Sequence, residues 1–182
     1  GEVVADRTLL NHLVMDVSLI ASMGMRVVLV HGSRPQIEEL MGLRKLEGQF
    51  YKGVRITGPQ ELECVKEACG ETRFDIEAAF SQGLPNTPMQ HSRIKVVSGN
   101  FVTARPMGII DGVDYLHTGV VRKVDAESIQ DLLSRGNIVL VSPTGFSPTG
   151  EAFNLTTEDV ATAIAVAIHA DKLILSVGVD GV

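Results

Sequence analysis

Residues 26–37 read Arg26-Val27-Val28-Leu29-Val30-His31-Gly32-Ser33-Arg34-Pro35-Gln36-Ile37, and this stretch decides the fold. Arg26 to His31 is a short, largely β-branched apolar run closed by Gly32, which reads as a strand. Pro35 is tolerated in a first helical turn, where its missing N–H costs nothing, so it opens Gln36 to Met41 as a helix. The stretch is a strand, a glycine turn and a helix.

Working outward, Leu9, Leu10, Leu13, Val17 and Ile20 recur at helical spacing between Leu9 and Met23, and Gly24 follows where a left-handed helix end would sit. Downstream, Thr57 with Gln60 three residues later and Pro59 in the first turn predicts a helix over Glu61 to Ala79, with Gly70 as a break point. Arg93 to Val121 changes to short alternating runs around Ser98-Gly99-Asn100 and Asp111-Gly112. These predict antiparallel hairpins forming a ribbon over the ligand edge of a sheet. The helical rhythm then resumes. Asp125 caps a helix to Leu133 that Gly136 ends, and a strand from Ile138 to Ser142 reads as buried. A loop rich in small residues, a helix from Glu158 to His169 with Thr156 or Thr157 at its cap, and a strand from Lys172 to Val177 complete the chain. Helices alternating with short apolar strands predict an α/β fold: a mainly parallel open sheet covered by helices on both faces, with a β-hairpin insertion. The sheet has no covering element beyond either end of the sequence, so the intact protein is expected to continue in both directions.

The chain has 182 residues, 45% of them hydrophobic, enough for one domain with a sizeable core. No apolar run approaches the ~20 residues that span a bilayer, so no membrane partner is expected. Sixteen Lys and Arg against 22 Asp and Glu give a net charge of −6, without the basic stripe that tracks nucleic acid. Cys64 and Cys69 and the five histidines form no metal-ligand spacing, so no metal is expected and the cysteines read as ordinary reduced thiols. Without a signal-like start, the cytosol is the default compartment, with an organellar matrix or stroma open if a presequence was removed.

Three stretches could carry chemistry. In Val30 to Pro35, free N–H groups at a helix N-terminus suit a carboxylate or phosphate, Gly32 lets it approach the backbone, and Arg34 adds a charged donor. A plain strand-to-helix turn fits the spacing as well. In Lys52 to Thr57, Arg55 lies between apolar residues, either as a solvated charge or turned into a cleft. From Ser142 to Ala161, a small-residue loop after a buried strand and Asn154 just before a helix sit where an α/β fold binds substrate, or form a simple turn.

At these motifs the chain resembles the amino-acid kinase superfamily, with its carbamate-kinase-like fold, and within it the kinase-like domains of the N-acetylglutamate synthases. The resemblance rests on Val30-His31-Gly32-Ser33-Arg34-Pro35-Gln36-Ile37, Val97-Ser98-Gly99-Asn100-Phe101, Asp111-Gly112-Val113-Asp114-Tyr115 with His117-Thr118-Gly119, and Gly150-Glu151-Ala152-Phe153-Asn154-Leu155. By resemblance to acetylglutamate kinases, the roles that bind the acetylated amino acid map to Gly32, Arg55 and Asn154. The candidate cleft is Gly32, Ser33, Arg34, Arg55, Asn154 and Glu158. Gly1 looks like the second glycine of the kinases' Gly-Gly pair, so the place of their lysine precedes the chain, and Glu158 stands where they carry an aspartate. Phosphoryl transfer depends on positioned charge, so the longer carboxylate implies a fold kept without the kinase reaction.

The resemblance implies a non-catalytic domain, spanning residues 1–182, that regulates and assembles an acetyltransferase, with no cofactor or catalytic residue of its own. The acetyltransferase domain would follow it, using acetyl-CoA as co-substrate and L-glutamate as acceptor. L-arginine would be the feedback effector and the assembly a homo-oligomer. The alternative reading is an active acetylglutamate kinase using ATP.

Overall fold

A computed structural model describes residues 1–82 and 94–176. The chain begins with a short helix α1 (Glu2–Ala5) and continues into α2 (Arg7–Ser22). The Asp6 carboxylate between them accepts the Thr8 and Leu9 N–H groups at 2.8 and 3.2 Å, filling donors that a helix start leaves open. Strand β1 (Val28–Val30) turns through Gly32 into α3 (Arg34–Leu43), the βα unit expected from residues 26–37. A small hairpin follows, β2 (Gln49–Tyr51) and β3 (Val54–Ile56), closed by Lys52 and Gly53 with φ of 49° and 79°. Two central residues at positive φ match the twist of the flanking strands. The sequence reading missed this hairpin because lysine is an unusual occupant of such a turn.

Helix α4 (Pro59–Ser81) runs unbroken through Gly70, where an added Cβ would meet nothing within 4 Å. A glycine there weakens the helix without ending it. Gly58, not Thr57, holds the cap position, because the Thr57 hydroxyl is engaged elsewhere. Strands β4 (Val96–Ser98), β5 (Val102–Pro106), β6 (Ile109–Ile110), β7 (Val113–Asp114) and β8 (Gly119–Val124) follow. Next come α5 (Ala126–Ser134), β9 (Ile138–Val141), β10 (Thr144–Phe146), β11 (Ala152–Asn154) and α6 (Thr157–Ala167).

Strands β1, β9 and β4 form a parallel sheet in that order, with β9 in the middle. All four β9 residues are at most 2% exposed, and their alternation assigns each to a face. Ile138 and Leu140 pack with Val14 and Val17 of α2 and Ile76 and Phe80 of α4. Val139 and Val141 pack with Ile129 and Leu133 of α5 and Val160 and Ile164 of α6. This is the sheet covered by helices on both faces. A third cluster joins Ile37 and Met41 of α3 to Cys64, Val65, Ala68 and Cys69 of α4, so the two cysteines are reduced core thiols.

The β-rich insertion departs from the sequence reading. The Asp111-Gly112 turn closes the β6–β7 hairpin as expected, with φ of 53° and 79°. Ser98-Gly99-Asn100 does not close a hairpin: β4 runs parallel to β9, and the chain then crosses into a second sheet of order β11-β10-β5-β8. In that sheet β5 pairs antiparallel with β8 and β10 with β11. The β-branched run at Val96 buries itself beside β9, and that gain outweighs local turn preference. Lys172 to Ser176 form no strand, and Ile174 is 84% exposed, paired with no strand among the described residues. Arg93 and Val177 lie outside the described residues. Helix α6 ends at Ala167 rather than His169, which adopts φ of 54°. Among the described residues no helix is long and apolar enough to cross a membrane.

Replacing Leu140 by alanine removes a side chain gripped by α2 and α4 and should cost about 2–5 kcal/mol in urea unfolding. Ile109→Ser, on a hairpin residue 71% exposed, should stay within about 0.5 kcal/mol.

Candidate functional site

The carboxyl ends of β1 and β9 are tied by a buried polar chain. His31, 4% exposed, contacts Ser142 Oγ through Nε2 at 2.8 Å and Ser33 Oγ through Nδ1 at 3.2 Å. Ser33 Oγ donates to Thr72 Oγ1 of α4 at 3.1 Å. With that proton spent, His31 Nδ1–H donates to Ser33, and Ser142 Oγ–H donates to Nε2. Burial holds the His31 pKa down at about 4; a backbone hydrogen bond with Gly32 partly offsets this, and the nearby Gly1 amine and Arg73 reinforce it. The imidazole is neutral at pH 7 and serves as a strut. Burial likewise pushes the Cys69 thiol up to about 11.

The candidate residues come together as segments, while their side chains divide. Gly32 faces the start of α6, where an added Cβ would lie 3.3 Å from the Gly1 nitrogen and 3.6 Å from Thr157 Oγ1. Asn154 Nδ2 donates to Thr57 Oγ1 at 3.0 Å. Thr118 Oγ1 donates to the Arg55 carbonyl at 2.6 Å and accepts the Thr57 hydroxyl at 2.9 Å and N–H at 3.1 Å. Residues 31–34, 55–57 and 154–158 therefore border one region, with Thr118 as a knot; the sequence reading quoted it within His117-Thr118-Gly119 but gave it no role at the site. Thr57 and Thr118 are both buried, so their hydroxyls need partners, but those partners could not be read locally.

The Arg55 guanidinium is 8% exposed, so it is no solvated charge. It pairs with the Glu38 carboxylate of α3, lies 3.1 Å from Met41 Sδ, and sits 4.6 Å from the centroid of the Phe50 ring. Arg34 is exposed and approaches the same ring at 5.5 Å. Ser33 is buried with its hydroxyl committed to Thr72, and Glu158 is exposed in the first turn of α6. The structure thus brings Asn154 to the backbone beside Arg55 and Gly32 to the start of α6. It does not bring the Arg55 guanidinium to Asn154. Among the described residues no group of His, Cys, Asp and Glu could hold a metal ion.

The amino acid kinase family profile covers residues 1–182. The chain belongs to the amino acid kinase family. An amino-acid acetyltransferase of Ralstonia nicotianae is 62% identical over 174 residues, covering 96% of this chain and 39% of that protein. One from Ectopseudomonas mendocina is 51% identical over 181 residues, covering 100% of this chain and 42% of that protein. Among solved structures, N-acetylglutamate synthase from Neisseria gonorrhoeae complexed with coenzyme A and L-arginine matches with a TM-score of 0.88 and 35% identity. That match covers 95% of this chain and 41% of the synthase. This amino acid kinase domain therefore spans about two fifths of the relatives it matches.

Two measurements probe the site's framework. The His31 pKa is depressed in the fold, so the unfolded chain binds the extra proton between pH 6.5 and 4. Its contribution to stability is full above about pH 6.5 and falls as pH drops toward 4, by about 3 kcal/mol in all. The His31→Gln variant should flatten that part of the urea-unfolding profile. Thr118→Val leaves the Arg55 carbonyl and the Thr57 N–H unpaired, and should cost roughly 1–3 kcal/mol in the same assay.

Proposed function

We propose that the chain is the kinase-like domain of an amino-acid N-acetyltransferase, an N-acetylglutamate synthase that moves acetyl from acetyl-CoA to L-glutamate in the first step of arginine biosynthesis. The observation that carries this reading is the 62% identity to an amino-acid acetyltransferase across 96% of the chain. The structural likeness to a synthase complexed with coenzyme A and L-arginine supports it. In this reading acetyl transfer belongs to a further domain following residues 1–182, consistent with the two-fifths share of the relatives' length. The present domain is non-catalytic, carries L-arginine feedback and builds a homo-oligomer in the cytoplasm.

The cleft of Gly32, Ser33, Arg34, Arg55, Asn154 and Glu158 is then an inherited site whose kinase chemistry has lapsed. The pairing of Arg55 with Glu38 supports this, because a guanidinium already neutralised by an internal carboxylate has less to offer a ligand carboxylate. Glu158 adds a second reason, since its longer side chain displaces the charge that an in-line phosphoryl transfer needs.

The full-length protein should acetylate L-glutamate from acetyl-CoA, and L-arginine should slow that reaction. It should release no ADP from ATP and magnesium with N-acetylglutamate. A kinase turnover near the ~10 per second typical of enzymes would overturn the reading, as would absence of acetyl transfer.

A further inference from the structure

Helix α2 covers one face of the parallel sheet through Leu10, Val14 and Val17, which pack with β9 and α4. A helix placed this way ordinarily turns charged and polar residues outward. The outward face of α2 instead carries Leu9, Met15, Leu19 and Met23, each 47–59% exposed. At 3.6 residues per turn these four fall with exposed His12 and Asp16 into one stripe, about 120° wide and about 21 Å long. Single apolar residues are ordinary on a surface, but four aligned along one helix mark a contact surface. Among the described residues neither His12 nor Asp16 enters an ion pair, although both lie on the same helix.

We propose that this stripe binds the same stripe on a second copy of the chain, as an antiparallel helix pair about a two-fold axis. The proposal rests on the homo-oligomer of the reading above and names its surface. The pattern matches itself in one alignment, with the axis at the level of Val14. Positions equally far from Val14 on either side then meet, and His12 and Asp16 are such a pair, as are Leu9 and Leu19. An imidazole N–H of each copy donates to a carboxylate of the other, and each Leu9 meets a Leu19. Met15 falls next to the axis and meets its own counterpart, where a flexible thioether fills the gap between helices. A parallel pair would set Asp16 against Asp16 and repel. This self-complementarity selects a second copy as the occupant, because a stretch of different sequence would not require donor, acceptor and apolar positions to be balanced about one point.

The test uses the full-length protein, with its mass read by light scattering and its contacts by cross-linking. Leu19→Glu should cut the mass of the assembly to half or less, with circular dichroism showing the fold retained. His12→Asp should weaken assembly by opposing two carboxylates, and His12→Asp combined with Asp16→His should restore it, because the exchanged pair meets again across the axis. Met15→Cys should join two copies through a short bismaleimide, while the buried Cys64 and Cys69 leave the unaltered protein unjoined. If Leu19→Glu does not fold, the Met15→Cys cross-link decides. A mass indifferent to Leu19→Glu, or Met15→Cys copies that stay separate in an oligomer, overturns the proposal and leaves the homo-oligomer standing. A monomeric full-length protein overturns both. Failure of the double exchange to restore assembly overturns the antiparallel alignment. Shielding of Met15→Cys from maleimide without joining, in a protein of unchanged mass, shows that another part of the same chain covers the stripe and likewise overturns the proposal.

Discussion

Strand β9 is buried on both faces and hydrogen-bonded along both edges, and the remaining elements are arranged by that constraint. Four apolar residues in succession, Ile138 to Val141, leave no side chain that could face water. Each face must therefore be covered, by α2 and α4 on one side and by α5 and α6 on the other. The parallel neighbours follow, because satisfying both rows of β9 backbone groups requires β1 and β4 to lie along them. The crossover helices then carry the chain back over the sheet, as parallel pairing demands.

From this arrangement the strand ends converge, and their polar groups must satisfy one another. His31 at the end of β1, Ser142 just after β9 and Thr72 on α4 meet through the Ser33 hydroxyl in a chain whose proton directions are mutually consistent. Low exposure makes an unmade bond there costly, so the network fixes where β1, β9 and α4 sit relative to one another. A second knot, at Thr57, Thr118 and Asn154, fastens the β2–β3 hairpin to the second sheet. These two knots frame the candidate cleft. In both, the hydroxyls act as structure rather than as nucleophiles, and the buried neutral imidazole of His31 belongs to the same frame.

Arg55 illustrates how a fold can redirect a residue suited to ligand binding. Its backbone carbonyl accepts from Thr118, while its guanidinium turns to α3, meeting Glu38, Met41 and the Phe50 ring. A nearly buried cation needs such an arrangement, because burial without a counter-charge would be far more costly than the pair itself. Arg73, by contrast, is 41% exposed, with Glu77 Oε1 3.6 Å from its Nε and the Phe74 ring 5.4 Å from its guanidinium carbon. The two arginines separate a buried charge, which needs an internal partner, from a half-exposed one that water can serve.

The sequence by itself determined what depends on neighbours within a few residues. The βα unit at residues 26–37, the Asp125 cap donating nothing but accepting from Ser128, the Asp111-Gly112 turn and the alternation of helices with apolar runs were all legible, because capping, turn geometry and periodicity act within about one turn of chain. The same signals misread Ser98-Gly99-Asn100 as a hairpin and Thr57 as a cap, since β4 gains more from β9 and Thr57 from Thr118 than either gains locally. Only the tertiary structure decided those partners, as it decided that Arg55 turns to Glu38 and Asn154 to Thr57. The physical reason is separation: His31 meets Ser142 across 111 positions and Asn154 meets Thr57 across 97, distances over which residue type says that a buried polar group needs a partner but not which one.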